Sequence, residues 1–423
     1  MKVCYVADNR VRLNYGCRAS SMALHDIIAQ YHDIDSTIYG DMKSGYSVEL
    51  YRGRVRVTRW ARYLGKIKHI LSRIFLNKPY IAKDEANFIA GDVTTSLRNF
   101  MKCYDKFQPL RELYDKINNA DAVMVNGEGS FIFREGTRYD LNFILFILAL
   151  AQLLGKKTYL LNSVFSDGTS SEKNVRDIEQ TREICLKCNL VTARDKLSYK
   201  YYRDNVAENI VYVPDALFSW LKFSSYMPMA LMFPYAGVVF PEMQIQWQPF
   251  DFSKPYVAVS SASREKYRDD KEYIDRYVVL VNALKAQYRV VIVQTCIGED
   301  FLKHVAKLTN TKIIDVHTNI LFGMSVLTNA QCYVSGRWHP SILASLGGTP
   351  CVMMRSNSHK SMAIYEELEY DDKVLFSNLP SDDEIAEILA KVDNSIKYVD
   401  RANIINKIMI KNEQLKMYEK LLQ

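Results

Sequence analysis

No leader is expected from the opening residues. The start, MKVCYVADNR, has neither a basic opening nor a following apolar core and reads instead as a first β-strand, which places the protein in the cytoplasm. It also lacks a disulfide framework: Cys4, Cys17, Cys103, Cys185, Cys188, Cys296, Cys332 and Cys351 are scattered without regular spacing, as suits a reducing compartment. No apolar run is long enough for a membrane span. The longest, Phe143 to Leu154, is interrupted by Gln152 and falls short of the roughly 18 residues required, so it reads as a buried core helix. A second apolar stretch, Phe223 to Phe240, is broken by Pro228, Pro234 and Gly237 and reads as a loop or lid. No His/Cys/Asp cluster has metal-ligand spacing, so no metal is expected. Cys185-Leu-Lys-Cys188 has no second pair and reads as structural thiols, and Gly127-Glu-Gly-Ser-Phe falls short of a dinucleotide fingerprint.

What is present is the composition of a folded body with large cores: 423 residues, 48% hydrophobic and 24% charged, enough for two domains. The net charge of +7 is unevenly placed. Residues 52–78 carry Arg52, Arg54, Arg56, Arg59, Arg62, Lys66, Lys68, Arg73 and Lys78 with no acidic residue among them. Trp60, Tyr63, Leu64, Ile67, Leu71, Ile74 and Phe75 recur at helical spacing on the opposite face. Such a basic amphipathic helix either docks on an anionic membrane surface or packs on its own domain and exposes its charges. No nucleic-acid motif accompanies it, and nucleic acid is not expected as a partner.

Along the chain, short apolar strands alternate with helices, the pattern of α/β domains with parallel sheets covered on both faces. Strands are read at 2–7, 121–125, 157–162, 190–193 and 210–213, then again at 256–260, 289–294, 312–314, 332–334 and 350–354. Two Rossmann-like domains facing a cleft, a glycosyltransferase-B-like build, follow from this. The divisions are an N-terminal domain over 1–218 with the basic insertion at about 40–115, and a linker and active-site loop at 219–254. A C-terminal donor-binding domain follows over 255–400, with a closing helix at 401–423 that can reach back to the first domain.

The segment richest in chemistry runs from Tyr333 to Pro350. An apolar strand delivers Ser335, Gly336, Arg337, Trp338 and His339 at its carboxyl end, directly before a helix. Helix N-termini bind anions and Arg adds a two-pronged donor, so the position suits a phosphate or carboxylate. His339, two residues from Arg337, is placed to donate a proton. The other histidines lack comparable context.

A strand ending in Ser-x-Arg-x-His, then an Ile/Ala-rich helix and Gly-x-Pro, resembles the signature of the polysaccharide pyruvyltransferase family. Asn14-Tyr15-Gly16 resembles that family's early Asn-x-Gly loop, and Asn126-Gly127-Glu128-Gly129-Ser130 its glycine-rich second loop. Ala193-Arg194-Asp195-Lys196-Leu197-Ser198 resembles its Arg-Asp/Glu-x-x-Ser box, Pro214-Asp215 lies near its Asp-Pro-type turn, and Lys360 resembles a late Lys. The resemblance covers nearly the whole chain outside about 40–115 and 220–254. It implies transfer of pyruvyl from phosphoenolpyruvate, as co-substrate without a further cofactor, to two hydroxyls of a sugar acceptor or its lipid-linked precursor, forming a ketal; the basic helix at 52–78, where it docks on lipid, puts the enzyme at the inner face of the cell membrane. On that reading Arg337, Arg194, Ser335 and Lys360 bind the donor and His339 is the proton donor. Glu128, or less strongly Asp215, is the base; Asn14, Asn126, Trp338 and Asp215 stand on the acceptor side. Two departures touch that side: Glu128 stands where many relatives carry Gly, and Trp338 where Tyr or Leu is more usual. The alternative is a two-domain glycosyltransferase using a CMP- or UDP-linked sugar; a third is a glycan-binding subunit without chemistry.

Overall fold

The computed structural model describes residues 1–40, 89–169, 172–226, 250–263 and 270–423. The basic helix expected over 52–78 lies outside these residues, as does 227–249 of the expected linker and active-site loop.

Two sheets are present. The first contains β1 (Lys2–Asp8), β2 (Asp33–Tyr39), β3 (Ala122–Phe133), β4 (Lys157–Asp167), β5 (Leu190–Ala193) and β6 (Val211–Tyr212), in the order β2-β1-β3-β4-β5-β6. The second contains β7 (Val257–Ala262), β8 (Val290–Val293), β9 (Lys312–Ile314), β10 (Cys332–Gly336) and β11 (Cys351–Met353), in the order β11-β10-β7-β8-β9. Every pairing is parallel. The first sheet closes at Tyr212 and the second opens at Val257; residue 218 falls inside a 3₁₀ stretch, Ala216–Tyr226.

Strand alternation sorts the core into three layers. Val3 and Tyr5 of β1 face a cluster that also receives Tyr256 and Ala258 and thus spans both domains, whereas Cys4 and Val6 face an outer cluster of the first domain. Val257 and Val259 face an outer cluster of the second. A period of two directs successive side chains to opposite faces, and burial on both faces is why these strands read as unbroken apolar runs. The apolar run at 143–154 becomes helix Tyr139–Leu153, buried in the outer cluster of the first domain.

Several boundaries differ from the sequence reading. The first helix spans Tyr15–Ala29 rather than starting at Ser20, because the Asn14 side chain accepts from the Cys17 amide and caps it there. Strand β3 continues through Asn126–Ser130 to Phe133 instead of ending before that segment, because β4 runs beside it as far as Asp167. Strand β2 and helix Asp382–Tyr398 were not read. The closing segment is two helices, Arg401–Gln414 and Met417–Leu421.

The closing helices do return to the first domain. Lys411, 5% exposed, places Nζ 2.5 Å from Glu367 Oε2 and 2.8 Å from the Tyr212 hydroxyl, while Glu367 Oε1 accepts from the Lys196 amide at 2.8 Å. The Tyr418 hydroxyl lies 3.4 Å from Thr192 Oγ1, and His32 Nε2 2.7 Å from the Leu422 carbonyl. Removing one partner of a buried ion pair leaves an uncompensated charge. Lys411→Met is expected to cost about 3–5 kcal/mol in chemical denaturation, and Lys411→Met/Glu367→Gln to recover part of that loss.

Candidate active site

In an open parallel sheet the crevice lies at the carboxyl ends of the strands, where the strand order reverses. Those points are β1/β3 in the first sheet and β7/β10 in the second. One cavity of about 600 Å³ lies between them, lined after β1 by Asn9, Arg12 and Asn14, in β3 by Asn126 and Glu128, and after β10 by Arg337, Trp338 and His339. Three neighbouring strands bend at this level. Ala7, Glu128 and Asn162 all have positive φ (58°, 49° and 55°), and ladder register shifts between Val6 and Asp8, Glu128 and Phe131, and Leu160 and Ser163. Bulges of this kind re-aim side chains, and left-handed non-glycine residues cluster where function holds them. Gly127 is required between them, since a Cβ there would lie 1.9 Å from Ser163 Oγ.

His339, in the first turn of helix Trp338–Ser345, is the centre of a buried charged cluster. Its Nε2 lies 3.1 Å from Asp215 Oδ2 and 3.0 Å from Arg194 Nη1. One tautomer donates to Asp215 and the other accepts from Arg194, so Nε2 is engaged by the protein in both. Nδ1 faces Glu128 Oε1 at 3.7 Å. Arg194, 1% exposed, also reaches Asp215 Oδ2 at 3.4 Å and Glu128 Oε2 at 3.7 Å, and its guanidinium stands 5.2 Å from the Trp338 ring centre. The first domain thus supplies Glu128, Arg194 and Asp215, and the second supplies His339 and Trp338. Helix Tyr15–Ala29 packs directly on this histidine: a Cβ on Gly16 would stand 2.5 Å from His339 Cβ.

Burial pushes the Asp215 carboxyl up, but His339 and Arg194 outweigh it and hold the group well below the ordinary carboxylate range. Glu128 is likewise raised by burial and lowered by His339 and Arg194, with a net shift downward. Asp215, read from the sequence as an acceptor-side residue, does not reach the cavity wall. It is fully buried behind His339 and accepts from Trp338 Nε1 at 2.8 Å. Trp338 lines the cavity but is 4% exposed, its indole N–H given to Asp215.

Ser335 is also not on the cavity wall. Its hydroxyl donates to the Ser261 carbonyl at 3.0 Å and accepts from the Arg337 amide at 3.1 Å, so it shapes the strand-to-helix turn. Arg337 reaches the cavity with Nε donated to Glu299 Oε1 at 2.7 Å, a partner the sequence did not suggest.

Lys360 opens helix Lys360–Glu367 on the same wall. Burial, then the Arg194 and Arg138 guanidiniums, push its ammonium down to about 7. Arg138, unread in the sequence, lines the cavity and donates Nη1 to the Gly129 carbonyl at 2.5 Å. Lys360 is placed by its neighbour: His359 Nε2 lies 3.2 Å from Asp195 Oδ1 and 3.1 Å from Ser198 Oγ, which gives that histidine a context the sequence did not show. Asn14 caps its helix and lines the cavity. Asn126 is fully buried on the wall, and neither atom of its amide has a hydrogen-bond partner among the described residues; the same holds for Glu128 Oε1. Unpaired buried polar atoms on a cavity wall are groups for a ligand to satisfy. Cys185 and Cys188 are free thiols away from this wall.

Comparison with solved structures supports the fold. The chain aligns over 100% of its length, and 100% of the other chain, with UDP-GlcNAc 2-epimerase from Neisseria meningitidis bound to UDP-GlcNAc (TM-score 0.57, 15% identity). It aligns with UDP-N-acetylglucosamine 2-epimerase from Rickettsia bellii over 100% of this chain and 96% of that one (TM-score 0.54, 12% identity). Trehalose-6-phosphate synthase OtsA aligns over 100% and 99% (TM-score 0.54, 9% identity). At these identities the likeness shows the two-domain, glycosyltransferase-B-like fold. No curated protein sequence matches the chain. The family model for polysaccharide pyruvyl transferase matches residues 14–358, which takes in the Asn14 loop, the Glu128 segment, Arg194 and the Arg337–His339 turn. The chain is therefore a transferase that belongs to the polysaccharide pyruvyl transferase family.

Proposed function

We propose that the protein moves the pyruvyl group of phosphoenolpyruvate onto two hydroxyls of one sugar in a surface polysaccharide or its lipid-linked precursor, forming a ketal and releasing phosphate. The observation that carries this reading is the charge of the cavity. Arg12, Arg138, Arg194, Arg337 and Lys360 line it against two carboxylates, Glu128 and Asp140. A small donor bearing both a phosphate and a carboxylate needs such convergent cations, and their attraction strengthens away from bulk water.

The atoms balance on the residues present. His339 protonates the donor's methylene carbon through Nδ1, which leaves C2 electrophilic. One sugar hydroxyl attacks C2 and passes its proton to Glu128, the bond from C2 to the phosphate oxygen breaks, and the second hydroxyl closes the ketal. One proton ends on the new methyl group and the other leaves with phosphate. Asp215 and Arg194 hold the His339 ring in place. Asn126 and Glu128 Oε1, without hydrogen-bond partners among the described residues, are placed to hydrogen-bond the sugar hydroxyls. On the same reading the enzyme works at the cytoplasmic face of the membrane, with the positive segment 52–78 against anionic lipid. Among the described residues no helix is long and apolar enough to cross a membrane.

The donor is tested by thermal stabilisation. Phosphoenolpyruvate at 100 times its dissociation constant adds about 2.7 kcal/mol to stability, and the shift is lost in Arg337→Ala. Stabilisation by a UDP- or CMP-linked sugar, with none by phosphoenolpyruvate, replaces this reading with a glycosyltransferase.

Lys360 predicts the pH dependence. Its ammonium titrates near 7 in the free protein and a bound anion favours the charged form. Donor affinity is therefore full below about 7 and falls as pH rises through that value, by up to about tenfold per pH unit. Calorimetry near neutral pH in buffers of different ionisation enthalpy will show proton uptake on binding, and Lys360→Met will abolish it.

Glu128 holds a left-handed backbone that glycine adopts without cost. Glu128→Gly is expected to keep the fold, because it relieves about 1 kcal/mol of backbone strain, and to lower kcat by about 10²–10⁴. Phosphate release under saturating substrate checks this; an unchanged kcat removes Glu128 as the base.

A further inference from the structure

Glu299 is fully buried in the turn that follows β8, and its two oxygens receive five donors. Oε2 accepts from the Thr295 amide at 2.6 Å, the Thr295 hydroxyl at 3.0 Å and the Cys296 amide at 3.0 Å. Those bonds are local and close the turn Ile297–Glu299. The other oxygen has a different task. Oε1 accepts from Ser261 Oγ at 2.6 Å, at the end of β7, and from Arg337 Nε at 2.7 Å, after β10. Turn closure does not require either contact.

The consequence for Arg337 is directional. With Nε fixed to Glu299, the planar guanidinium cannot rotate about its stem, and its far edge is set: Nη1 lies 3.1 Å from Ser263 Oγ and Nη2 3.1 Å from Cys296 Sγ, both residues of the cavity wall. The turn that Glu299 closes is also where the two domains meet through their backbones. The Tyr15 amide donates to the Thr295 carbonyl at 2.9 Å and the Ile297 amide to the Leu13 carbonyl at 3.3 Å. One carboxylate thus ties the orientation of Arg337 to the contact that closes the cleft.

We propose that Glu299 is the positioning residue for the donor-binding arginine: it presents the Nη edge of Arg337 to the anionic donor and does not itself touch substrate. This rests on the phosphoenolpyruvate reading above. A Gln at 299 keeps the shape but has one acceptor oxygen where both edges of the carboxylate face donors, so either Arg337 or the turn amides lose their partner.

The test is a double-mutant cycle of Glu299→Gln with Arg337→Lys, a side chain without an Nε–H, read by KM for phosphoenolpyruvate, kcat and the melting shift the donor produces. The expected result is a KM raised about tenfold in Glu299→Gln with kcat changed far less, and little further effect of that change in the Arg337→Lys background. Equal losses in both backgrounds, or donor binding by Glu299→Gln like the wild type, overturn the proposal. Glu299→Asp keeps a carboxylate for the turn but is a methylene short of Arg337; it is expected to show the same rise in KM if Glu299→Gln does not fold, and an unchanged KM in it also overturns the role. A wild type that phosphoenolpyruvate does not stabilise overturns the donor reading itself, an outcome distinct from a wild type and a Glu299→Gln variant that respond alike.

Discussion

Charge that is taken out of water must be paired, and in this protein the pairing begun within the first domain, Arg194 with Asp215 at 3.4 Å, is completed across the cleft. Asp215 and Arg194 are buried on the first domain's side of the cleft, and the groups that complete them, the His339 ring and the Trp338 indole N–H, come from the second. A buried ion pair needs further hydrogen bonds to offset its desolvation, so the donors supplied by the second domain favour the arrangement that brings these groups together. The packing is built to permit it. Gly16 gives up a side chain so that helix Tyr15–Ala29 can lie against His339, and the backbones of Asn14 and Cys296 pair as an isolated bridge between the domains. The shared apolar layer, with Tyr5 and Tyr15 on one side and Trp338 and Ile342 on the other, fills the space around that contact.

The same dependence decides what could be read from the sequence. Strands buried on both faces announce themselves as apolar runs, so the two parallel sheets were legible from β1, β3, β7 and β10. Strand β2 was not: Asp33–Tyr39 is an edge strand, polar at alternate positions and only partly covered. Helix Asp382–Tyr398 carries its sequence signal in the Ser381/Glu384 capping box. In the site, Arg337 and His339 were legible because they stand at the opening of a helix beside a strand end, a local pattern, whereas Lys360 was suggested by the family resemblance alone. The Glu299–Arg337 contact and the true place of Asp215 were not legible, because each is defined by a partner distant in sequence. The Trp338–Asp215 bond spans 123 residues and the Arg337–Glu299 bond 38. Ser335 misled for the converse reason: its place beside Arg337 in the chain is a turn-forming one.

The row of left-handed residues adds a second constraint. Ala7, Glu128 and Asn162 bend three adjacent strands at one level, and only Glu128 brings an ionisable side chain to the cavity wall. Asn162 uses its bend for structure, donating to Ser20 Oγ at 2.9 Å and accepting from the Ala216 amide at 3.1 Å, which fixes the backbone beside Asp215. A glycine would hold the bend at Glu128 without strain, so a carboxylate there has a reason other than the backbone.

That reason lies in the geometry of His339. Its Nε2 is engaged in either tautomer, by Asp215 or by Arg194, which leaves Nδ1 as the ring nitrogen for the proton exchange proposed above. Nδ1 faces Glu128 at 3.7 Å. In pyruvyl transfer the donor carbon gains a proton and a sugar hydroxyl loses one, on the two sides of the same C2 centre. On the proposed reading, with His339 as the acid and Glu128 as the base, the exchange can be completed within the cleft: a proton taken by Glu128 from the hydroxyl would need only a short movement to restore one that His339 gave to carbon. Bulk water is then not required between the two half-steps, and a cleft closed by its own buried charges is the arrangement in which such an exchange is favoured.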